Sequence, residues 1–580
     1  MKQTVQHGTP SRSVALNGPL VRLGAFSDIQ NFSSKMANPS SAIGFGWNIS
    51  LNKIPEDGAA WTSRYYTNFI QEVKTSFEID NVVRLGDIEN LELQPNLKES
   101  CVAANYCDEA LVNHEFKFEI KRSVRRGRKI NFDSTTLGEG VDPLRLIVKA
   151  LDDETRAKIQ ETWQDMSIIG AATTHFMPGG IIARFDRSRD VTRRLCREIE
   201  MARAGYRRRV PLPNIDLSPP VISYLASCIR SGSSADERSA EIGQTLLGVN
   251  DEKLLSFSEF FQRLISLPPS TRAALQRAMF KEPKKLESLL YHSLGRNLQL
   301  TRRRIDLMTE VAGLNSDFFR FGVHYLGPLR DEPRPLYPLQ AMSSPTDVGP
   351  KGELTAAVLH LNSLRIVDYI TPTGFLPDKA DLIRQKARLV DAVGAWLQYL
   401  GVAVDVETSE KGKFGHELRV RTSKNMEFQD LTNVGVGVSQ VLPIIVTCLL
   451  APKGSTIILE QPELHLHPAV QARLADFFIS MVALDKQCII ETHGEHLVDR
   501  LRLRIVCDDS DLLLDSTKIF FFSQQTGVTT YREIAVNEYG AIEDWPDDFF
   551  DQSQKQSEQI TMKALERRRL NRERGKGSPG

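Results

Sequence analysis

Alternating apolar and polar positions mark the first part of the chain. Ile43–Ser50 (IGFGWNIS) and residues 114–120 (HEFKFEI) carry the two-residue rhythm of half-buried strands. KINF at 129–132 follows the second across the basic turn KRSVRRGR, which predicts a β-rich hairpin region before about residue 140. The rhythm then changes. From about 140 to 325 apolar residues recur three and four apart, as in LLSFSEFFQRLISL and STRAALQRAMFKEPKKLESLLYHSL, and a mostly helical region is expected. Pro268 and Pro269 separate these two helices, with Ser270 as the N-cap of the second. After a proline-rich return at 325–338, residues 378–402 predict one amphipathic helix with Leu382, Leu389, Val393, Trp396, Leu397 and Leu400 on a single face. Beyond about Asp551 the chain is polar and ends LERRRLNRERGKGSPG, which predicts a frayed helix followed by disorder.

Candidate chemistry is concentrated between 430 and 500. In NVGVGVSQVLPIIVTCLLAPKG, Gly435 and Gly437 precede Ser439, Gln440 and an apolar helix. A glycine-rich turn at a helix start presents backbone N–H groups to a phosphate. Pro443 fits only in a first helical turn, which places the helix start near Ser439. STIILE then reads as a buried parallel strand ending in Glu460, Pro468 opens a helix running through Leu484, and CIIET reads as a second buried strand. The unit is βαβ, with Glu460 and residues 491–493 at adjacent strand tips, where open α/β sheets bind ligands. A carboxylate there can hold Mg²⁺, and a histidine on the neighbouring tip can sense a γ-phosphate or orient water.

Composition narrows the setting. Lysine and arginine (73) balance aspartate and glutamate (73), so no global field favours nucleic acid or membrane, although local basic patches remain open. The seven cysteines are scattered, and no CxxC pair suggests a zinc knuckle. Reduced, buried thiols are expected of Cys448, Cys488 and Cys507, which favours the cytoplasm. The opening MKQTVQHGTPSRS has no apolar signal-peptide core, and the longest apolar stretch, 441–450, is too short to span a bilayer.

Several segments resemble the ABC-type ATPase heads of the SMC, RecF and OLD group. They are most similar to a prokaryotic branch of AAA-family ATPases with a C-terminal domain of unknown function. The resemblance rests on YLGPLRDEPRPLYP, DVGPKGELTAAVL, NVGVGVSQVLP, EQPELHLHP, ETHGEHLVDRLR and the ending NEYGAIEDWPDDFFDQ. It covers about 320–551 well and 14–50 more weakly. It implies an α/β fold: an ABC-ATPase-like P-loop NTPase head with an incomplete N-terminal lobe and a large, mostly helical insertion. The implied domains are 1–60, a remnant of the N-terminal lobe; 61–325, an inserted β-hairpin and helical lid or arm; 326–506, the C-terminal ATPase lobe; 507–551, a small β-containing domain; and 552–580, a disordered basic tail. ATP and Mg²⁺ are the implied cofactors. Residues 434–440 would form the signature motif, with Gly435, Gly437, Ser439 and Gln440 facing the nucleotide. Glu460 would be the Walker B metal acid and His493 the switch histidine. Gln461 stands where most ABC ATPases carry the catalytic glutamate; it cannot act as a base, so hydrolysis is slow or another group such as Glu463 positions the water.

One expected element is absent from the sequence: no G-x-x-x-x-G-K-[ST] occurs. In the family that loop and its helix precede a segment like LNGPLVRLGAFSDI, which starts here at Leu16, so residues 1–6 would be the end of the P-loop helix. Two functions therefore stay open. One is an ATPase, expected to be inactive alone because the phosphate loop is missing from this chain, that dimerises head to tail through its heads, with itself or a related chain, and drives a DNA-directed or phage-defence-type process, with an effector such as a nuclease encoded nearby. The other is a non-hydrolysing scaffold, or a subunit supplying its signature in trans. A zinc site from His465, His467, His493, His496 and Glu463 is a rival that the resemblance makes unnecessary, and the acidic run 507–511 reads as a solvated loop rather than a nuclease centre. The basic runs 121–129, 203–209 and 302–304 suggest DNA contacts through phosphates rather than base readout. No membrane partner is expected.

Overall fold

The computed structural model describes residues 1–7, 14–20, 22–23, 25–30, 42–51, 69–80, 95–107, 112–123, 146–162, 165–203, 215–232, 236–247, 255–337, 344–525, 528–542 and 552–575. The expected strand at 129–132, most of the basic runs 121–129 and 203–209, and residues 543–551 of the C-terminal motif lie outside these. The chain forms two compact units. One comprises Met1–Glu115, Thr174–Met177 and Glu310–Gly580, and the other Phe116–Thr173 and Pro178–Thr309.

At the centre of the first unit is a parallel sheet of β1 (Val323–Leu326), β2 (Thr456–Glu460) and β3 (Gln487–Glu491), in the order β3–β2–β1. The helices around it are α1 (Leu389–Leu400), α2 (Val436–Leu450), α3 (Pro468–Val482) and α4 (Glu495–Val506). α2 is buried from Val441 through Leu450, so its apolar run is a core helix wrapped on all sides. Trp396 of α1 packs edge-on against Phe477 of α3. Asp476, fully buried on α3, takes ion pairs from Arg500 and Arg504 of α4 and a hydrogen bond from the Tyr399 hydroxyl. These partners replace the water that burial strips from the carboxylate.

Also in this unit, the expected strand Ile43–Ser50 pairs antiparallel with Phe69–Asp80, which pairs with Asn96–Cys107. Trp47 sits edge-on to Phe176 and Phe319 and donates its indole N–H to Asn315. A helix, Lys2–His7, occupies the position where the resemblance implies one. Its Lys2 ammonium donates to the Val323 carbonyl at 2.5 Å. Gln552–Gly575 is helical, and its described side chains are exposed.

The helix expected over 378–402 is a correction. Arg384–Arg388 is a strand paired with Ile366–Ile370, and α1 begins only at Leu389. Leu382 is 46% exposed and off the buried face, while Leu389, Val393, Trp396, Leu397 and Leu400 are buried as expected. The basic strand RQKAR fits a helical period but gains a ladder by pairing.

The second unit combines a small sheet with a helical core. Ser167–Thr174, Met177–Asp186 and Leu298–Arg303 form a three-stranded sheet, with Met177–Asp186 in the middle. Phe118–Arg122 pairs antiparallel with residues 146–151. The region is mostly helical as expected, and these strands are additions to it: SIIGAATT and GGIIARF are short apolar runs whose period does not separate helix from strand. Helices Arg187–Met201, Pro219–Gly232, Phe257–Ser266, Pro269–Met279 and Pro283–Leu294 bury Leu195, Phe257, Phe260, Phe261, Leu264 and Leu286 together. Ser270 is not the N-cap: Pro268 holds that position and Pro269 opens the helix at N1, where a missing N–H costs nothing. Pro283 then starts a separate helix within the segment read as one.

Candidate functional site

The C-terminal tips of β2 and β3 lie side by side, with Glu460 and Glu491 in register. Glu460 accepts the Tyr325 hydroxyl from β1 at 3.1 Å on Oε1. Burial, reinforced by this carboxylate, pushes the Tyr325 hydroxyl up to about 12. Gln461 follows with φ of 44°, a left-handed backbone that strains a residue with a side chain. Its N–H is held by the Glu491 carbonyl at 2.9 Å and by Glu491 Oε2 at 3.2 Å. His465 is also left-handed, with φ of 61°, and His467 caps α3 by accepting the Ala469 N–H on Nδ1. The histidines of this turn are thus shaped by backbone demands.

Glu463 joins the two tips. Its carboxylate is buried, and Oε1 accepts the His493 N–H at 2.7 Å. Oε2 is buried without a hydrogen-bond partner. The His493 ring is exposed and lies 3.2 Å from Glu491 Oε1 through Nε2. A cleft of about 410 Å³ opens beside them, lined by Glu463, His465, Pro468, Gln471, His493 and His496.

A buried arginine completes the site. Arg330 follows β1 and donates to the Gly327 carbonyl and, at 3.0 Å, to the Glu460 carbonyl. Its Nε and Nη2 are buried without a partner. Burial lowers this guanidinium to about 10, opposed by the charges of Tyr325, Glu460 and Glu463. Sequence pattern alone does not single out Tyr325 or Arg330. The signal it does carry is their position at the end of a third apolar strand, in YLGPLR.

The glycine turn sits at the start of α2, with Gly435 as N-cap and no side chain capping it. The helix starts at Val436, three residues before the expected Ser439, so Pro443 lies inside it rather than in its first turn. Pro443 fits there because Gly352 makes room: with φ of 74°, a Cβ on Gly352 would lie 2.6 Å from Pro443 Cβ. Ser439 is buried and donates its hydroxyl to the Val436 carbonyl at 2.7 Å. Gln440 is half-buried on the next position. Val436 is 51% exposed. Gly437 lies close to the strand-tip turn, since an added Cβ would be 3.6 Å from Leu466 Cδ2.

Strand β3 departs from the buried strand expected. Its residues alternate between exposed and half-buried, and Ile489 is 49% exposed. Among the described residues it pairs only with β2, so it is an edge strand.

The chemistry of the donor set fits Mg²⁺. Mg²⁺ takes one or two carboxylates and fills its remaining positions with water and phosphate oxygens. Glu460 retains Oε2 beyond its Tyr325 bond, and Glu463 has an unpartnered buried oxygen. Among the described residues no three His, Cys, Asp or Glu side chains are grouped to hold a metal by themselves.

Comparison with known families bears on the same segment. Residues 365–499 match an AAA domain. The family is described as "AAA domain, putative AbiEii toxin, Type IV TA system". The matched span contains Gly435, Gly437, Ser439, Gln440, Glu460, Gln461, Glu463 and His493, and it supports a nucleotide-binding α/β fold. Residues 514–560 match a protein family of unknown function, DUF3696. No curated protein matches the chain. One solved structure, an Smc head domain with an extended coiled coil bound to the C-terminal domain of ScpA, derived from Pyrococcus furiosus, is similar at 9% identity. The likeness covers 76% of this chain and 78% of that one with a TM-score of 0.22, too low to carry an argument. Among the described residues no helix is long and apolar enough to cross a membrane.

Proposed function

We propose that this chain is an ABC-type ATPase head of the SMC, RecF and OLD kind, working in a DNA-directed or phage-defence-type process. The observation that carries this reading is the convergence of Glu460, Glu463 and His493 on two adjacent parallel strand tips, inside the segment that matches an AAA domain. Glu460 would hold Mg²⁺, which when bound to ATP withdraws charge from the phosphates. Gln461 and Glu463 would position water, and His493 would face the γ-phosphate. Arg330, with two buried nitrogens unpartnered, places a cation beside this turn through its bond to the Glu460 carbonyl. The glycine turn at the uncapped start of α2 supports a dimer in which each signature turn closes on a partner's nucleotide.

The test is Mg²⁺-dependent ATP turnover by the purified chain, alone and mixed with a head that carries an intact phosphate loop. Glu460→Gln and His493→Ala should each lower turnover by about 100-fold or more while leaving the far-ultraviolet spectrum intact. Turnover unchanged in both variants would refute the site.

A second reading has its own support. The sequence holds no G-x-x-x-x-G-K-[ST], and Gln461 cannot serve as a base. The chain would then lend its signature turn in trans to a partner with an intact phosphate loop. Titration with a fluorescent ATP analogue separates the two: saturable binding by this chain alone sinks the trans reading.

A further inference from the structure

The second unit contains a polar cleft of about 450 Å³ that the nucleotide site does not use. Three guanidiniums line it, from Arg184, Arg189 and Arg296, together with the Ser167 hydroxyl and the ring of Tyr291. Two carboxylates, Asp165 and Asp186, share the lining, and both are already engaged.

Asp186 is buried at the start of the helix Arg187–Met201. Its Oδ1 accepts the Ser188 and Asn297 N–H groups, and its Oδ2 accepts the Tyr291 hydroxyl at 2.6 Å. Asp165 is ion-paired to Arg189 at 3.3 Å and to Arg193. Arg189 also lies over the Tyr291 ring, 5.3 Å from its centroid. Arg184 and Arg296 are exposed and have no partner among the described residues. The carboxylates therefore orient the cleft, and two cations remain for a ligand.

The strand register bounds the positive charge. Arg184 lies opposite Leu300, and Ile182 lies opposite Arg302. Ile182 and Leu300 share the Arg184 side of the sheet and are buried in an apolar cluster, so the charge stays at the exposed end of the strand. A compact anion would need a closed cradle; an open polar cleft rimmed by the exposed Arg184, Arg189 and Arg296 fits a chain of phosphates.

We infer that this cleft binds the phosphodiester backbone of a nucleic acid through Arg184, Arg189 and Arg296. Phosphate contacts carry no sequence information, so recognition is independent of sequence. The inference does not depend on the ATPase reading, because every residue in it belongs to the second unit.

The experiment measures fluorescence anisotropy of a labelled 20-nucleotide single-stranded DNA with the full chain, over a range of salt. Wild-type protein should bind, and the double variant Arg184→Ala, Arg296→Ala should bind at least about tenfold more weakly. Its slope of log K against log salt should fall by about 1.4, close to 0.7 for each phosphate no longer neutralised. Asp165→Asn, which frees cationic charge, should tighten binding about threefold. Arg277→Ala, on an exposed helix surface of the same unit, should change nothing. The Arg184 and Arg296 side chains make no bond among the described residues, so their truncation should leave the fold intact, and the single variant Arg184→Gln is a check. The inference is overturned if wild-type protein does not bind, if the double variant binds equally well, or if pyrophosphate displaces the probe as well as unlabelled oligonucleotide does.

Discussion

At the strand tips of the first unit the charges of Glu460 and Glu463 act on a single guanidinium, Arg330, whereas the cleft of the second unit sets three arginines against two aspartates. The tips leave carboxylate oxygens unspent, suited to a cation. The cleft commits its carboxylates to a tyrosine, backbone amides and neighbouring arginines and leaves guanidiniums free, suited to an anion. The two regions also differ in how the chain assembles them. A βαβ unit places Glu460 and His493 together across 33 residues, while the cleft needs an antiparallel ladder to bring Arg184 beside a segment over 100 residues away. A site's sign of charge is decided by which side chains the surrounding scaffold has already neutralised.

The largest test of this contrast concerns the two buried aspartates. Asp476 lies against Arg504, itself almost fully buried, so Asp476→Ala strands a cation in the core and should cost about 3–5 kcal/mol. Asp186→Ala removes a helix cap and the Tyr291 bond but leaves no buried charge, and should cost only about 1–2 kcal/mol. Urea denaturation, with hydrogen exchange to assign each loss to its unit, checks both. Equal losses would show that Asp186 is as much a core charge as Asp476, and the contrast would fail.

The same contrast explains what the sequence can show. Glu460, Gln461, Glu463 and His493 are legible because strand, turn and helix follow one another within one segment and their apolar runs are unambiguous. The α/β class follows from the same segment. The start of α2 is not legible, because the missing N–H of Pro443 points to a first turn, whereas the helix tolerates this proline beside Gly352. The exposure of CIIET is hidden because an apolar run carries no sign of whether its far edge is paired. Arg330 cannot be read as a site residue, since only the structure shows two of its nitrogens buried without partners. In the second unit the strands are concealed in short apolar runs, and without them Arg184, Arg189 and Arg296 remain scattered basic residues.

Acid should separate the two units next. In the fold His324, buried on β1, is held neutral: burial, with Lys2 adding repulsion, lowers it from the usual 6.5 to about 4. The unfolded chain takes up this proton first, so the contribution is complete above pH 6.5 and is lost as pH falls from 6.5 to 4. The loss should be about 3 kcal/mol, read from denaturation midpoints across that range. His324→Gln should flatten the curve. Asp186 behaves otherwise: burial opposes its ionisation, but the Tyr291 hydroxyl and three N–H groups outweigh it and hold its carboxyl below the usual range. Its contribution therefore persists through pH 5 and fails only below the ordinary carboxylate range. Hydrogen exchange at pH 7 and pH 5 should show the first unit loosening and the second unchanged.

The smallest effects compare two helix caps. Ser256 and Glu259 form a reciprocal capping box at the start of Phe257–Ser266, with Ser256 accepting the Glu259 N–H and Glu259 accepting the Ser256 N–H. Ser256→Ala should cost about 1 kcal/mol, and ATP-analogue binding should be unaltered because this helix belongs to the second unit. His467 caps α3 with a single bond to the Ala469 N–H, and His467→Ala should cost about 0.5–1 kcal/mol. Its consequence is not confined to stability. The cap ends the turn that begins at the left-handed Gln461 and holds Glu463 against the His493 N–H, so loosening it should weaken analogue binding although His467 does not line the cleft. Similar stability losses with different binding outcomes would show that the turn is tensioned for the site. If both variants bind alike, the left-handed residues of the turn serve only to reverse the chain, and the case for this loop rests on Glu460 and His493 alone.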